Sequence, residues 1–436
     1  MKKSIMTTTI SAAAAMLALS GCFGEQDERA KESANKKNSV SHHVSVCPSG
    51  TSDAGYSLNE KNVCELSGII TNELTLDSQK YWRIKGEVVI GGDNSHSSVL
   101  NIQPGTVLFG KSEGDFMVVN RGSKIMAKGE AKNPIVFTSE KDIKNEKAES
   151  GDWGGLVIAG NAPINSGVDD VFEFSRQNVR FGGSNPEDNS GVLNYVVIKY
   201  AGDEVMPQKE LNGLSLGGVG RGTNIDYVEV YQGKDDGIEL WGGNVNMKHI
   251  LLIGNRDDSL DTDLGYTGKI QYLYAEKFAT EATQMGNGIE SDNNPNDRNA
   301  KPTTHPTLAN FEFVGSAKSK YGVLIRKGSS YTLANGKVSV FEKAQFSLQD
   351  EETFNNDILV KSVYLDAPKD SKELFYGRGE ELKMTANVYY KDGSSTIGKT
   401  YPKYTDMSGD TFFEDSQFIG AYEATNDWRK GWSVGL

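Results

Sequence analysis

Few residues of the kinds that carry familiar chemistry occur in this chain. Of 436 residues only three are cysteine and five histidine, and no CxxC pair is present. Cysteine-based zinc sites and dithiol redox centres are thereby excluded. Positive charge is short as well: 46 Lys and Arg face 59 Asp and Glu, a formal net charge of −13. A nucleic-acid-binding protein needs a basic face, and none is evident, so no nucleic-acid partner is expected. Beyond the first 22 residues no apolar run approaches the ~20 residues that span a bilayer. Only His249 and His305 fall near the repeats described below, and no histidine-containing hydrolase motif stands beside the acidic residues.

What is present begins with a leader. Lys2 and Lys3 precede a small-residue, mildly apolar stretch from Ile10 to Leu19, and Leu19-Ser20-Gly21-Cys22 follows. This layout is that of a secretory signal, and its last four residues match the lipobox of bacterial lipoproteins. The resemblance implies removal of residues 1–21, acylation of Cys22, and attachment to membrane lipid. Phe23 rather than an aspartate follows the cysteine. By the same analogy this directs the protein to the outer membrane, on its periplasmic face or at the cell surface. Losing Lys2 and Lys3 takes the net charge from −13 to about −15, an acidic body suited to cations. Residues 22–46 are polar, with the run EQDERAKESANKK and the pair His42-His43. Such a composition cannot bury a core and reads as a flexible tether. Cys47 and Cys64 are an even pair in an exported chain. A disulfide between them is expected where the tether meets the body, worth roughly 3 kcal/mol.

From about Leu66 the chain turns to short β-branched and aromatic runs, at 81–90, 98–102, 106–109, 116–120 and 135–138. Pro104-Gly105, Arg121-Gly122 and Asn133-Pro134 punctuate them as turns. The clearest repeat pairs Asp235-Asp236-Gly237-Ile238-Glu239 with Asp257-Asp258-Ser259-Leu260-Asp261, 22 residues on. A period of about 20 to 50 residues marks a stacked solenoid. Short strands separated by Gly, Asn and Asp at this spacing indicate a parallel β-helix with one coil per repeat. Leu214-Ser215-Leu216, Gly288-Ile289-Glu290 and Gly322-Val323-Leu324 fall on the same pattern, and 194–198 falls on 226–230. Extra length is absorbed in loops, notably 292–306, and long loops on one face of a solenoid carry its contacts. The expected organisation is all-β: a right-handed parallel β-helix over 47–340, then final coils and a cap over 341–436. Helical character shows near 349–355, and Trp428 and Trp432 are expected to pack in the cap. Gly218-Val219-Gly220-Arg221-Gly222 reads as a turn, not a nucleotide loop.

Several segments together carry a family resemblance. WGGLVIAGNAPIN, ELNGLSLGGVGRGTNIDYVEVYQGKDDGIELWGG, DDSLDTDLGYTGKIQYL and the closing FIGA and NDWRKGW resemble a broad family of β-helical bacterial outer-membrane lipoproteins. That family includes spirochaetal surface lipoproteins. The resemblance runs from about residue 100 to the C-terminus. It implies the fold and the lipid anchor, and it carries over no catalytic residue.

Stacked coils place equivalent residues ~4.8 Å apart. In that register Glu239, Asp261 and Glu290 form one column, with Asp263 and Asp292 two residues further along the same side. Asp235 and Asp236 stack on Asp257 and Asp258 in a turn. Two carboxylates ~5 Å apart repel by roughly 3 kcal/mol at an effective dielectric of about 20. Such a column calls for a cation, raised pKa values or hydrogen bonds to amides. Calcium suits it, taking many oxygens in flexible geometry, and Glu239, Asp261, Asp263, Glu290 and Asp292 are the expected ligands. For Asp235, Asp236, Asp257 and Asp258 the plainer role is to cap turn amides. With Arg256 and Arg326, these four also outline an expected ligand groove.

Two functions follow. One is a binding or structural lipoprotein of the envelope, partnered by a glycan or by an envelope or host protein. The other is a calcium-dependent polysaccharide lyase or glycoside hydrolase, for which paired acids are required. Arg256, Arg326 or Lys327 would then supply the base. Trp153 and Trp241, each preceding a Gly-Gly pair, are expected at packing corners rather than as sugar platforms.

Overall fold

The computed structural model describes residues 46–202, 204–206, 209–278, 286–366, 375–377, 388–390 and 404–436. Cys22 and the rest of the chain before Val46 lie outside the described residues. Among the described residues strands dominate, and the helices are two four-residue turns, Glu140–Ile143 and Glu351–Phe354. The second falls where helical character was read. The main sheet pairs its strands in parallel except at its start, where Ser52–Leu58 lies antiparallel to Lys61–Ile70. That hairpin closes the first open edge of the stack, an edge that otherwise invites pairing with other chains. The Cys47–Cys64 disulfide lies beside it, with the Cα atoms 5.6 Å apart.

Each coil contributes strands to successive faces. One face runs Leu214–Gly217, Ile238–Trp241, Leu260–Asp263, Ile289–Ser291, Tyr321–Ile325 and Ala344–Leu348, each parallel to the next. Its register aligns Leu214, Ile238, Leu260, Ile289 and Val323, as the repeat predicts. Side chains alternate along a strand, so these five form an inward column, each fully buried. The residues that follow them, including Glu239, Asp261 and Glu290, form the outward column. A second ladder runs Gly191–Lys199, Asn224–Tyr231, Asn246–Ile253, Lys269–Glu276, Thr307–Val314 and Tyr331–Ser339. Packing in its interior is matched in size across coils. Phe311 pairs with Gly336, where an added Cβ would lie 1.9 Å from the Phe311 ring.

The second ladder bends at one residue per coil. Tyr195, Tyr227, His249, Tyr272, Asn310 and Asn335 take φ between 48° and 62°. The left-handed region costs a side-chain-bearing residue ~1–2 kcal/mol. Stacking offsets it: ring centroids lie 4.4 Å apart for Tyr195–Tyr227, 4.2 Å for Tyr227–His249 and 4.9 Å for His249–Tyr272. His249 Nδ1 also lies 2.7 Å from the Asp226 carboxylate. His249 is thus a corner residue.

The end of the chain falls into two parts. Strands at Ile358–Lys361, Val363–Asp366, Phe375–Gly377 and Val388–Tyr390 continue the coils. From residue 404 the chain instead runs back along the corner as a strap. The Thr405 N–H donates to Asn335 at 2.6 Å, the Ser416 hydroxyl to Asn310 at 2.5 Å, and the Glu414 N–H to Gln271 at 2.8 Å. Trp432, 4% exposed, meets Tyr195 and Tyr227 edge-on. Val434 and Gly435 donate their N–H groups to the buried Glu229 carboxylate at 2.8 and 3.0 Å. Burial pushes Glu229 up to about 7, against the pull of those two amides. The physical reason for the strap is the corner itself: a column of stacked rings is a long apolar surface, and Trp428 and Trp432 cover it. Trp432→Ala is expected to lower stability by ~3–5 kcal/mol, the usual cost of deleting a buried indole. Denaturant unfolding of the two proteins measures it, and a loss under ~1 kcal/mol would show that the strap is not held there.

Candidate functional site

The coil that leaves the strand Gly155–Ala159 carries an insertion before Gly191–Lys199. Within it Asp170–Val171 and Arg180–Phe181 form a short antiparallel pair. Phe172, Phe174 and Phe181 are all but fully buried, against one another and against Trp241, with ring centroids 4.4–6.4 Å apart. Polar contacts fasten this flap to the body. The Arg121 guanidinium donates to Asp93 at 2.6 Å, to Asp169 at 3.0 Å and to the Gly182 carbonyl at 2.8 Å. Arg180 and Arg121 together hold the Asp169 carboxyl down to about 2. Glu87 accepts the Ser175 hydroxyl at 2.5 Å. Asn165 Nδ2 donates to Asn293 Oδ1 at 2.9 Å and to the Pro302 carbonyl at 3.0 Å, joining the flap side to the loop 292–306.

Between flap and loop lies a cleft of about 500 Å³. Asp235, Asp236, Glu239 and Asp263 line it from the coil face, Trp241 and the flap phenylalanines from one side, and Asn294–Asn296 from the other. The loop therefore frames the groove. Of the two tryptophans read as packing corners, Trp153 is fully buried, its indole N–H 2.7 Å from the Lys199 carbonyl. Trp241 is half-buried, and it both packs on the flap and faces the cleft. The flap was not read in the sequence; the only signal is a cluster of phenylalanines in a turn-rich stretch.

The acidic residues form one continuous seam. Carboxylate oxygens lie within 4.8 Å of one another in three overlapping triads: Asp235, Asp236 and Asp257; Asp236, Glu239 and Asp261; Asp258, Asp261 and Glu290. The turn residues are partly occupied. Asp236 accepts the Asp258 N–H at 2.7 Å, and Asp258 in turn accepts the Asn287 N–H. These bonds reach the next coil rather than the local turn, so each Asp brackets two layers. Asp257 is exposed and Asp258 is buried. The seam's far end has cations of its own: Arg326 bonds Asp292 at 2.8 Å and also Glu290, and Lys327 bonds Asp292 at 2.6 Å. Lys277, 4% exposed, donates to the backbone carbonyls of Asn255 and Asp257 beside the turn set. Burial lowers its ammonium to about 8. Near Glu239 the hydrogen-bond partner among the described residues is Asn212, whose Nδ2 donates at 2.6 Å. Asp261 Oδ1 is buried with no hydrogen-bond partner among the described residues.

Desolvation dominates the electrostatics, with neighbouring carboxylates adding to it. Together they push Asp235 up to about 8, Asp258 to about 6, Asp263 to about 7 and Glu290 to about 8. Asp236, Glu239 and Asp261 are driven well above the usual carboxylate range. Such a set either holds protons or holds cations. Arg256 is exposed and lies outside the cleft lining, as does Arg326.

One letter pattern is disposed of by its setting, and a second lies outside the described residues. Gly213-Leu214-Ser215-Leu216-Gly217 spells a nucleophile elbow, but Ser215 is fully buried within the strand Leu214–Gly217. An elbow nucleophile must stand exposed on a sharp turn. Residues 393–400 spell a phosphate loop and lie outside the described residues; letters alone make no such site.

Fold and site together define a parallel β-helix protein with an acid-lined cleft on one coil face. A family model for the pectate-lyase-like β-helix domain matches residues 68–433, and the chain belongs to that family. No curated protein and no solved structure gives a match.

The raised acids fix the sign of the pH response. The unfolded chain releases these protons near pH 4 and the folded chain only near 6 to 8. Stability present at low pH is therefore lost as pH rises through the folded values. In chelator the melting temperature is expected to fall from pH 5 to pH 8. A melting temperature flat or rising over that range in chelator would contradict the seam's protonation.

Proposed function

We propose that this protein is a lipid-anchored binding protein of the bacterial outer envelope, taking calcium at the acidic seam and a glycan in the adjoining cleft. The observation that carries the reading is a run of uncompensated, mutually close carboxylates at Glu239 and Asp261, beside a preformed aromatic-walled cleft. Calcium would take oxygens from Glu239, Asp261 and Glu290, with Asp263 and Asp292 beside them, and relieve their repulsion. The lipobox at Cys22 and the polar tether support attachment to outer-membrane lipid, and hence a partner at the envelope.

A second reading, a calcium-dependent polysaccharide lyase or hydrolase, draws support from the pectate-lyase likeness of the family. Fold likeness alone does not supply chemistry. Binding is favoured because none of the candidate bases reaches the cleft: Arg326 and Lys327 are ion-paired with Asp292, and Arg256 lies outside the lining. No Lys, Arg or His is among the described residues lining the cleft.

Calorimetry on the mature protein is expected to show calcium binding that Asp261→Asn or Glu239→Gln weakens by about tenfold or more, roughly 1.4 kcal/mol. Unchanged affinity in both variants would rule out the seam as the site. Polysaccharides retained without shortening would support binding, whereas calcium-dependent shortened chains would establish the enzyme. Separately, Cys22→Ala is expected to abolish labelled-palmitate incorporation in the native host and release the protein from the membrane fraction. Persistent labelling would remove the anchor from the proposal.

A further inference from the structure

The titratable side chains lining the cleft are all acidic, and Lys209 stands 3.9 Å from one of them, Glu173. Asp170, Glu173 and Glu210 join the four coil-face acids around it, and no basic residue is among the described lining residues. Its apolar surface is mainly aromatic, with Val171, Leu264 and Pro295 beside the rings and Trp241 half-buried at the rim of the phenylalanine cluster. Beside Glu239, Asn212 is 1% exposed and its Oδ1 has no partner among the described residues, a further acceptor beside the acids. These features select among ligands. A metal ion uses the oxygens and gains little from the rings. A neutral sugar would find amide and hydroxyl donors at Asn294, Asn296 and Ser166 but would leave the acids without a counter-charge, and an acidic glycan is repelled unless metal bridges it. An organic ammonium group is favoured by both surfaces at once, attracted to the ring face and paired with carboxylate.

We propose that the cleft binds an amine-bearing ligand, with its ammonium group held between the Trp241 ring and the surrounding carboxylates. The volume of about 500 Å³ accommodates an amino-sugar oligomer or a polyamine. This rests on the cleft being a ligand site, and it names the ligand's chemistry. Asp235, Asp236 and Glu239 belong to both seam and cleft, whereas Asp170, Glu173 and Trp241 lie outside the seam's three triads, so the amine reading is tested apart from calcium at these last three.

The test is calorimetry on the mature protein in detergent with chelator, using a glucosamine tetramer, its N-acetylated counterpart and spermidine. The free-amine tetramer is expected to bind at least about tenfold tighter than the acetylated one. Trp241→Leu is expected to weaken it about fivefold, the scale of one cation–π contact. Asp170→Asn with Glu173→Gln should weaken it likewise, and all three substitutions should leave calcium affinity unchanged. Asp261→Asn, whose carboxylate lies within 4.8 Å of the cleft acids Asp236 and Glu239, should lower calcium affinity by more than it lowers amine binding. Binding of spermidine as well would make a polyamine the source of the amine, and binding of the tetramer alone an amino sugar. Equal binding of free and acetylated tetramers would overturn the proposal, as would amine binding insensitive to Trp241. Calcium binding without amine binding would overturn it and leave the calcium reading standing; the reverse would sink the calcium reading alone.

Discussion

Parallel stacking places each residue of a coil beside its equivalent in the next, one strand spacing away. Nothing in such an architecture lets a side chain avoid its own kind. For leucine and isoleucine this is favourable without qualification, and the inward columns from Leu214 to Val323 are the result. For aromatic rings it is favourable enough to hold tyrosine and histidine at a left-handed corner four coils deep. For carboxylates it is unfavourable, and this chain nevertheless repeats them on the outward column. The same geometric constraint thus produces the core, the corner and the candidate site.

The protein meets that repulsion differently along the seam. At one end Arg326 and Lys327 neutralise Asp292 and part of Glu290. At the turn, Asp236 and Asp258 accept amides from the next coil, so their charge also ties layers together. Between them, Glu239 and Asp261 have little beyond one asparagine amide. A structural role accounts for the two ends. It does not account for the middle, which is where the cleft opens.

The cleft owes its existence to departures from the repeat. The flap and the loop 292–306 are insertions at different coils, joined through Asn165 and Asn293. Ion pairs through Arg121 fix the flap at its base. A regular solenoid would present the acids on a flat face open to water, where screening would leave little preference for any ligand. The walls desolvate them, and burial is the first cause of every raised carboxyl in the seam.

Periodicity made the coil register legible from residues alone, because a strand's alternation and a 22-residue period admit few arrangements of Asp235–Glu239 over Asp257–Asp261. Composition likewise marked the Cys47–Cys64 bridge and the short helix at 351–354. The flap could not be read in this way, since its phenylalanines follow no period and their partner, Trp241, stands far away in sequence. Nor could the strap: an aromatic C-terminus announces packing but not the surface it packs on. Which acids would be paired with Arg326, and which left to the cleft, depended on loop lengths and side-chain reach rather than on register. Sequence determined what repeats, because repetition is local and additive along the chain. Only the tertiary structure decided what encloses it, because enclosure depends on segments brought together across many coils.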